Sequence, residues 1–256
     1  MRSSILFWTI AVFLTFGSAG YQRLTGPTYP LRGSLTLGDA VISYSMERSY
    51  SSSTDAPVFI EVPDTTFKGI VRWKYLGANG PWNELPMTYV AQTVRAEIPT
   101  QIPLTKLEYT VELLKDNSVA SMIPPTGSIP IRFKGDVPLW VLIPHVIAMF
   151  FAMLFSTRAG LEIMAKEPSF RRLTHWTLGS LLIGGFLFGP LMTYYAFGEW
   201  WTGWPIGNDV TDSKTLVALV AWLFAAGMLR RPSQAKWCVL FAAVVMFSVF
   251  LIPHSV

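Results

Sequence analysis

The chain holds one cysteine, Cys238, in 256 residues. Neither a disulfide framework nor a CxxC pair can be built from it. Charge is also scarce. Asp, Glu, Lys and Arg make up 14% of the sequence, where a soluble domain carries about a quarter. Histidine occurs three times, as His145, His175 and His254, and residues 21 to 136 contain none. That stretch lacks the side chains from which zinc sites and histidine-driven hydrolysis are built. Four further signatures are missing: a P-loop, a GxSxG, an HExxH, and a GxGxxG set between a strand and a helix.

What the sequence has in excess is apolar residues, 51% of the total, unevenly placed. They gather at the N-terminus and after Pro138, while residues 21 to 136 read as a water-soluble segment. Five apolar stretches stand out. The first, Ile5 to Phe16, follows Arg2 and precedes Ser18, Ala19 and Gly20. That is the layout of a secretory signal with small residues for cleavage; the alternative is an uncleaved anchor helix. The others run from Pro138 to Thr157, Leu173 to Phe197, Thr211 to Leu229 and Trp237 to Pro253. Each is close to the ~20 residues that cross a bilayer core.

Loop charge orients these segments. Arg158, Lys166, Arg171 and Arg172 lie between the second and third, and Arg230, Arg231 and Lys236 between the fourth and fifth. The Gly198–Ser213 loop has no Lys or Arg but carries Glu199, Asp209 and Asp212. The positive-inside rule puts the basic loops in the cytoplasm. The soluble segment and the C-terminus then lie outside, in an inner (plasma) membrane of bacterial type. Trp140, Trp200, Trp201, Trp204 and Trp237 fall at the expected membrane edges. The net charge of +4 comes from residues flanking apolar segments, which argues for lipid as partner and against nucleic acid.

Period-2 alternation runs through residues 34 to 133. Leu107, Tyr109, Val111 and Leu113 share one face, against Glu108, Thr110 and Glu112. Val71, Trp73 and Tyr75 alternate with Arg72 and Lys74, and Val94, Ala96 and Ile98 with Arg95 and Glu97. Weaker runs lie at 41–47, 58–62 and 129–133, with turn signals at Ala78-Asn79-Gly80-Pro81 and Asp116-Asn117. Six to eight short strands predict an all-β sandwich. The stretch from Val71 to Leu113 resembles fibronectin type III and related immunoglobulin-like modules, through Trp73, Lys74 and Tyr75, then Trp82 to Met87, then Ala96 to Pro99, then Leu107 to Val111. It has no Cys…Trp…Cys pattern. The resemblance implies a binding or spacing module with a protein partner, and fold alone names no activity.

The expected fold class is therefore a membrane α-helical bundle of four transmembrane helices, with an N-terminal signal or anchor helix and an all-β extracytoplasmic sandwich. Its parts are 1–20, 21–136 and 137–256.

Ionisable groups inside apolar segments are costly and become site candidates. His145 sits ~10 Å below the outer surface, and His175 lies ~15–20 Å from it in depth, too far for one haem iron. His254 lies just past the fifth segment, and a haem b or quinone near His145 and His254 is one reading. His145, Met149 and Met153 recur at i, i+4 and i+8 on one helix face, a donor set that suits copper(I); the plainer reading is packing. The loop from Phe197 to Lys214 is the most unusual stretch. Glu199, Trp200, Trp201, Trp204, Asp209, Asp212 and Lys214 form either a ligand site with His145 as neighbour, or an interfacial aromatic belt with a helix cap at Thr211 or Asp212. Asp209, Asp212 and Lys214 are expected to form an ion-pair network. Ser180 with Gly184, and Gly185 with Gly189, have the small-xxx-small spacing of close helix contact, within the chain or between copies in a homo-oligomer. Pro190 is expected to kink its helix, and Arg158 to pair with Glu162. The sequence favours a non-enzymatic binding protein over a redox subunit or a carrier of copper or small solutes.

Overall fold

A computed structural model describes residues 2–37, 40–116, 118–165 and 168–253. It divides into two compact units. One is helical, built from the N-terminal residues to Pro27 and from Val137 onward; the other, Thr28–Asp136, is all β.

The β unit has eleven strands among the described residues. The first sheet orders β1 (Leu31–Leu37), β2 (Ala40–Met46), β4 (Ala56–Glu61), β8 (Thr93–Ile98) and β7 (Thr88–Val90). The second orders β3 (Ser49–Ser51), β11 (Ile129–Lys134), β9 (Lys106–Lys115), β5 (Phe67–Tyr75) and β6 (Asn83–Pro86), with β10 (Ser118–Ile123) also on β9. Pairing is antiparallel throughout except that β3 runs parallel to β11. Alternation puts one face of each sheet into a shared core. Ile42, Met46, Val58, Ile60, Val94 and Ile98 come from the first sheet, and Phe67, Val71, Leu107, Val111, Leu113 and Phe133 from the second. This is the two-layer arrangement of a β-sandwich.

The turns follow the chain's twist. Ala91 and Gln92, both with positive φ (50° and 59°), form the two-residue link between β7 and β8, the geometry of a type I′ hairpin. Asp116, at φ 51°, opens the expected turn between β9 and β10; its neighbour Asn117 lies outside the described residues.

Alternation weakens along β5. Val71 is fully buried, Trp73 half-buried and Tyr75 exposed, because β5 runs past the edge of the core. On β9 both faces are covered. Glu112 is bound by Arg72 at 2.9 Å and Glu108 by Lys74 at 3.5 Å.

The helical unit contains α1 (Arg2–Thr25), α2 (Leu139–Leu161), α3 (Phe170–Leu181), α4 (Gly189–Phe197), α5 (Val210–Met228) and α6 (Pro232–Leu251). A 3-10 turn, Glu162–Met164, follows α2, and a π-helical segment, Leu182–Phe188, joins α3 to α4. Among the described residues five helices are long and apolar enough to cross a membrane, the third being the continuous Phe170–Phe197 run. α1 continues through Ser18, Ala19 and Gly20 to Thr25, since no proline occurs before Pro27. It packs through buried Phe7 and Ala11 and through the Trp8–Phe155 and Phe16–Phe150 ring pairs.

Small residues line the contacts of this unit. Ala152, Ala159, Ala218, Ala225 and Ala242 are wholly buried around Trp222. A Cβ on Gly160 would stand 2.8 Å from the Ala243 methyl. Large apolar side chains such as Phe151, Leu187, Leu223 and Phe241 point outward.

Candidate functional site

The Trp-rich loop is the segment most heavily cross-braced by side chains. α4 ends at Gly198, at φ 79°, whose N–H returns to the Tyr194 carbonyl at 2.8 Å. This is the left-handed cap that glycine allows at lowest cost. The Asp209 carboxylate then caps α5, accepting from the Thr211 N–H at 2.6 Å. Asp212 Oδ2 accepts from both the N–H and the hydroxyl of Thr202, each at 2.8 Å. The Ser213 hydroxyl donates to the Asp209 carbonyl at 2.7 Å and accepts from the Trp204 N–H at 2.9 Å. The Trp201 indole N–H donates to the Trp204 carbonyl at 3.2 Å.

Two glycines permit the tight fold. A Cβ on Gly203 would stand 2.6 Å from Asp212 Cβ, and one on Gly207 would overlap the Thr202 carbonyl. The Trp204–Pro205 peptide is cis. Trp200 stacks on Tyr194 with ring centroids 4.5 Å apart, and Trp201 on Phe186 at 5.8 Å. Trp204 is 67% exposed, and Glu199 is exposed as well.

Lys214 keeps an electrostatic interaction with Asp209, but its hydrogen bond goes outside the loop. It is 5% exposed, and its Nζ donates to the Ile252 carbonyl at 2.8 Å. The Gln22 amide of α1 donates to the same carbonyl at 3.0 Å and to Phe250 at 2.7 Å. Two side chains from different helices thus satisfy carbonyls at the end of α6, which an apolar helix end cannot do for itself. The reason is geometric: Lys214 lies on the first turn of α5, facing α6, while Asp212 faces back toward Thr202.

His145 Nδ1 lies 2.9 Å from the Gly184 carbonyl. A carbonyl only accepts, so Nδ1 carries the hydrogen, and in the neutral ring Nε2 is left as the acceptor. Gly184 lies in the π-helical segment, and its carbonyl also receives the Gly189 N–H, five residues on. Pro190 lies at the start of α4. It lacks the N–H for an α-helical bond, and the backbone just ahead of it is wound as a π-helix.

The π segment is a junction. A Cβ on Gly184 would stand 2.7 Å from Met149 Sδ, and one on Gly185 2.6 Å from Thr215 Cγ2 of α5. Gly189 would meet only the carbonyl of Gly184, 3.4 Å away in its own helix. Ser180 is half-buried. The segment therefore links His145 and Met149, through Gly184, to Trp201, through Phe186. Met153 is 3% exposed and packs in the helical core. Among the described residues no three of His, Cys, Asp and Glu cluster as a metal-ligand set. His175 is exposed, and His254 lies outside the described residues.

Arg158 and Glu162 pair at 2.5 Å, both nearly sealed from solvent at 5% and 4%. Glu162 Oε2 also accepts from the Ser169 N–H at 2.8 Å. The sequence reading missed Gln22 and the π segment. A glutamine at the end of an apolar run and a proline after paired glycines were the available signals. No protein-family model and no curated protein matches the chain.

Proposed function

We propose that this chain is a multi-pass inner-membrane protein that displays an immunoglobulin- or fibronectin-type module outside the cell membrane and acts as a non-enzymatic binding or complex-accessory protein. Five apolar helices and the asymmetry of basic residues between alternate loops support the topology. The packing of Phe7, Ala11 and Gln22 into the helical unit supports α1 as a retained anchor. The module's assignment is supported by strand order. β2-β4-β8-β7 faces β11-β9-β5, which matches the ABED and CFG sheets of immunoglobulin-like sandwiches.

The observation that carries the non-enzymatic reading is the state of the Trp-rich loop. Asp209, Asp212, Ser213 and Lys214 are each engaged with partners inside the chain. A reaction centre would hold such groups toward a cleft. The test is site-specific photo-crosslinking in intact membranes from Phe59 and Tyr75, exposed on the two sheets. One discrete adduct from either position supports the reading. No adduct from either, together with a stoichiometric cofactor in the purified protein, sinks it.

A second reading, a redox subunit binding haem b or a quinol, is favoured by one feature. Donation from His145 Nδ1 to a backbone carbonyl is how ligating histidines are oriented, leaving Nε2 to the ligand. A reduced-minus-oxidised visible spectrum of the purified protein tests the haem arm, and His145→Phe should abolish any haem band found.

A further inference from the structure

At the opposite end of α2 from the Trp-rich loop lies a cleft of about 550 Å³. Ser4 and Trp8 of α1, Phe155 and Arg158 of α2, and Arg172 and Trp176 of α3 line it. Arg158 is the unusual member. It is 5% exposed, its guanidinium lies 5.4 Å from the ring centres of both Phe7 and Trp8, and its Nε has no hydrogen-bond partner among the described residues. Glu162 takes Nη1 but is itself shared with the Ser169 N–H. A guanidinium has five donors in a fixed fork, and a buried donor without an acceptor calls for a missing partner.

Three further features have the same sign. Arg172 is exposed at the cleft. Among the described residues the cleft holds two guanidinium groups against one carboxylate. The N-terminus of α3 opens beside it, with no acidic residue in its first turn and no cap from the Ser169 side chain; Glu162 takes the Ser169 N–H, and the N–H groups that follow and the helix dipole favour an anion.

We infer that this cleft binds the phosphodiester headgroup of an anionic phospholipid, in the leaflet next to the Arg-rich loops. The inference rests on the membrane reading above. The shared chemistry is a phosphate oxyanion; the surroundings select the lipid form. Arg158 lies roughly 28 Å along α2 from Leu139, at 1.5 Å per residue. A bilayer core is about 30 Å thick, so its guanidinium stands at headgroup level. Trp8, Phe155 and Trp176 give the cleft apolar walls suited to the glycerol and upper acyl chain, and indoles favour that interface. Basic clefts between helices on this side of a membrane suit anionic headgroups.

The test uses delipidated full-length protein in neutral detergent, titrated separately with phosphatidylglycerol, phosphatidylcholine of the same chains, and sodium phosphate. Tryptophan fluorescence and Tm are followed. Phosphatidylglycerol is expected to bind at least ~10-fold more tightly than phosphatidylcholine. Arg172→Gln, at an exposed position that should leave folding intact, should weaken it about 5-fold, the effect of one cation at a lipid surface. Because Arg158→Gln alone would strand Glu162 and could unfold the chain, the pair is removed together. Arg158→Gln with Glu162→Gln should erase the preference for the anionic lipid.

Equal binding of both lipids, or no loss in Arg172→Gln, overturns the site while leaving the membrane reading standing. A full response to phosphate alone overturns the lipid assignment in favour of a soluble anion. Recovery of the wild-type chain from the soluble fraction of lysed cells would overturn the membrane reading itself.

Discussion

In the β unit the large side chains withdrawn from solvent include Phe67, Tyr109, Leu113 and Phe133, and most lysines, arginines and carboxylates face out, the paired Glu112 apart. In the helical unit the withdrawn residues are chiefly Ala152, Ala159, Ala218, Ala225 and Ala242, with Gly160, Gly184 and Gly185 at close contacts, while Phe151, Leu187 and Phe241 face out. The same chain thus solves two packing problems. Where water is the solvent, burying large apolar groups drives folding. Where lipid is the solvent, a leucine gains little by turning inward, and small residues that let backbones approach hold the helices together.

The sharpest way to break this contrast is a matched pair of truncations. Leu113→Ala should cost the sandwich about 3 kcal/mol, read as a lowered unfolding midpoint of the full chain. Leu223→Ala, on the outward face of α5, should cost under about 1 kcal/mol, because its loss leaves no internal cavity. Equal costs would mean that α5 is not lipid-facing there.

The next largest effect reverses the sense of the substitution. Gly160→Leu drives a side chain into Ala243 and should destabilise the helical unit by about 2 kcal/mol. Thermal aggregation in detergent measures it. In the sandwich, Gly69→Ala meets the Met87 side chain, its sulfur first and Cγ at 3.2 Å, a flexible neighbour, and should cost less than Gly160→Leu.

Polar detail in the sandwich gives smaller effects. The Tyr109 hydroxyl donates to the Glu47 carbonyl at 2.8 Å, and burial raises its pKa far above the ordinary value. Tyr109→Phe should cost about 1 kcal/mol by leaving that carbonyl without its donor. Replacing Ala91-Gln92 by Asn-Gly should stabilise by up to about 1 kcal/mol, since both positions hold positive φ. Chemical denaturation resolves both changes.

The smallest effect is acid sensitivity. The Ser128 hydroxyl, then the Gly77 N–H and the Lys74 ammonium, hold the Glu108 carboxyl below its ordinary value. A depressed carboxyl contributes stability that is complete above the unfolded value, about 4.3. It is lost as pH falls through the folded value. Glu108→Gln should flatten that part of the stability–pH curve, whereas an unchanged slope would assign it to other groups.

Sequence patterning carried the long-range layout well. The five apolar runs and the alternation at Leu107–Leu113 are one-dimensional signals of burial, and the helices and β9 fall on them. Strands β1, β3, β6, β7 and β10 were less legible. β3, β6 and β7 are only three or four residues long, β1 and β10 alternate weakly, and β3 pairs with the distant β11. At the candidate site, the Arg158–Glu162 pair is local and could be read from spacing, whereas the helix cap expected at Thr211 or Asp212 is made by Asp209. The Lys214 and Gln22 contacts with α6 depend on how helices are packed, which spacing does not encode. Pro190 marked a break in regular α-helix, but spacing does not say that the segment before it, Leu182–Phe188, is wound as a π-helix.

That π turn also bears on which insertions and deletions the gene could survive. Its rings close over five residues where an α-helix closes over four, so the segment stores surplus length. Deleting one residue between Leu182 and Phe188 would let the turn contract to an ordinary helix, with both flanking faces still in phase. His145 would lose its widened carbonyl, but the Trp-rich loop would keep its bearing. The same deletion in the middle of α5, which has no such slack, would rotate everything after it by about 100°.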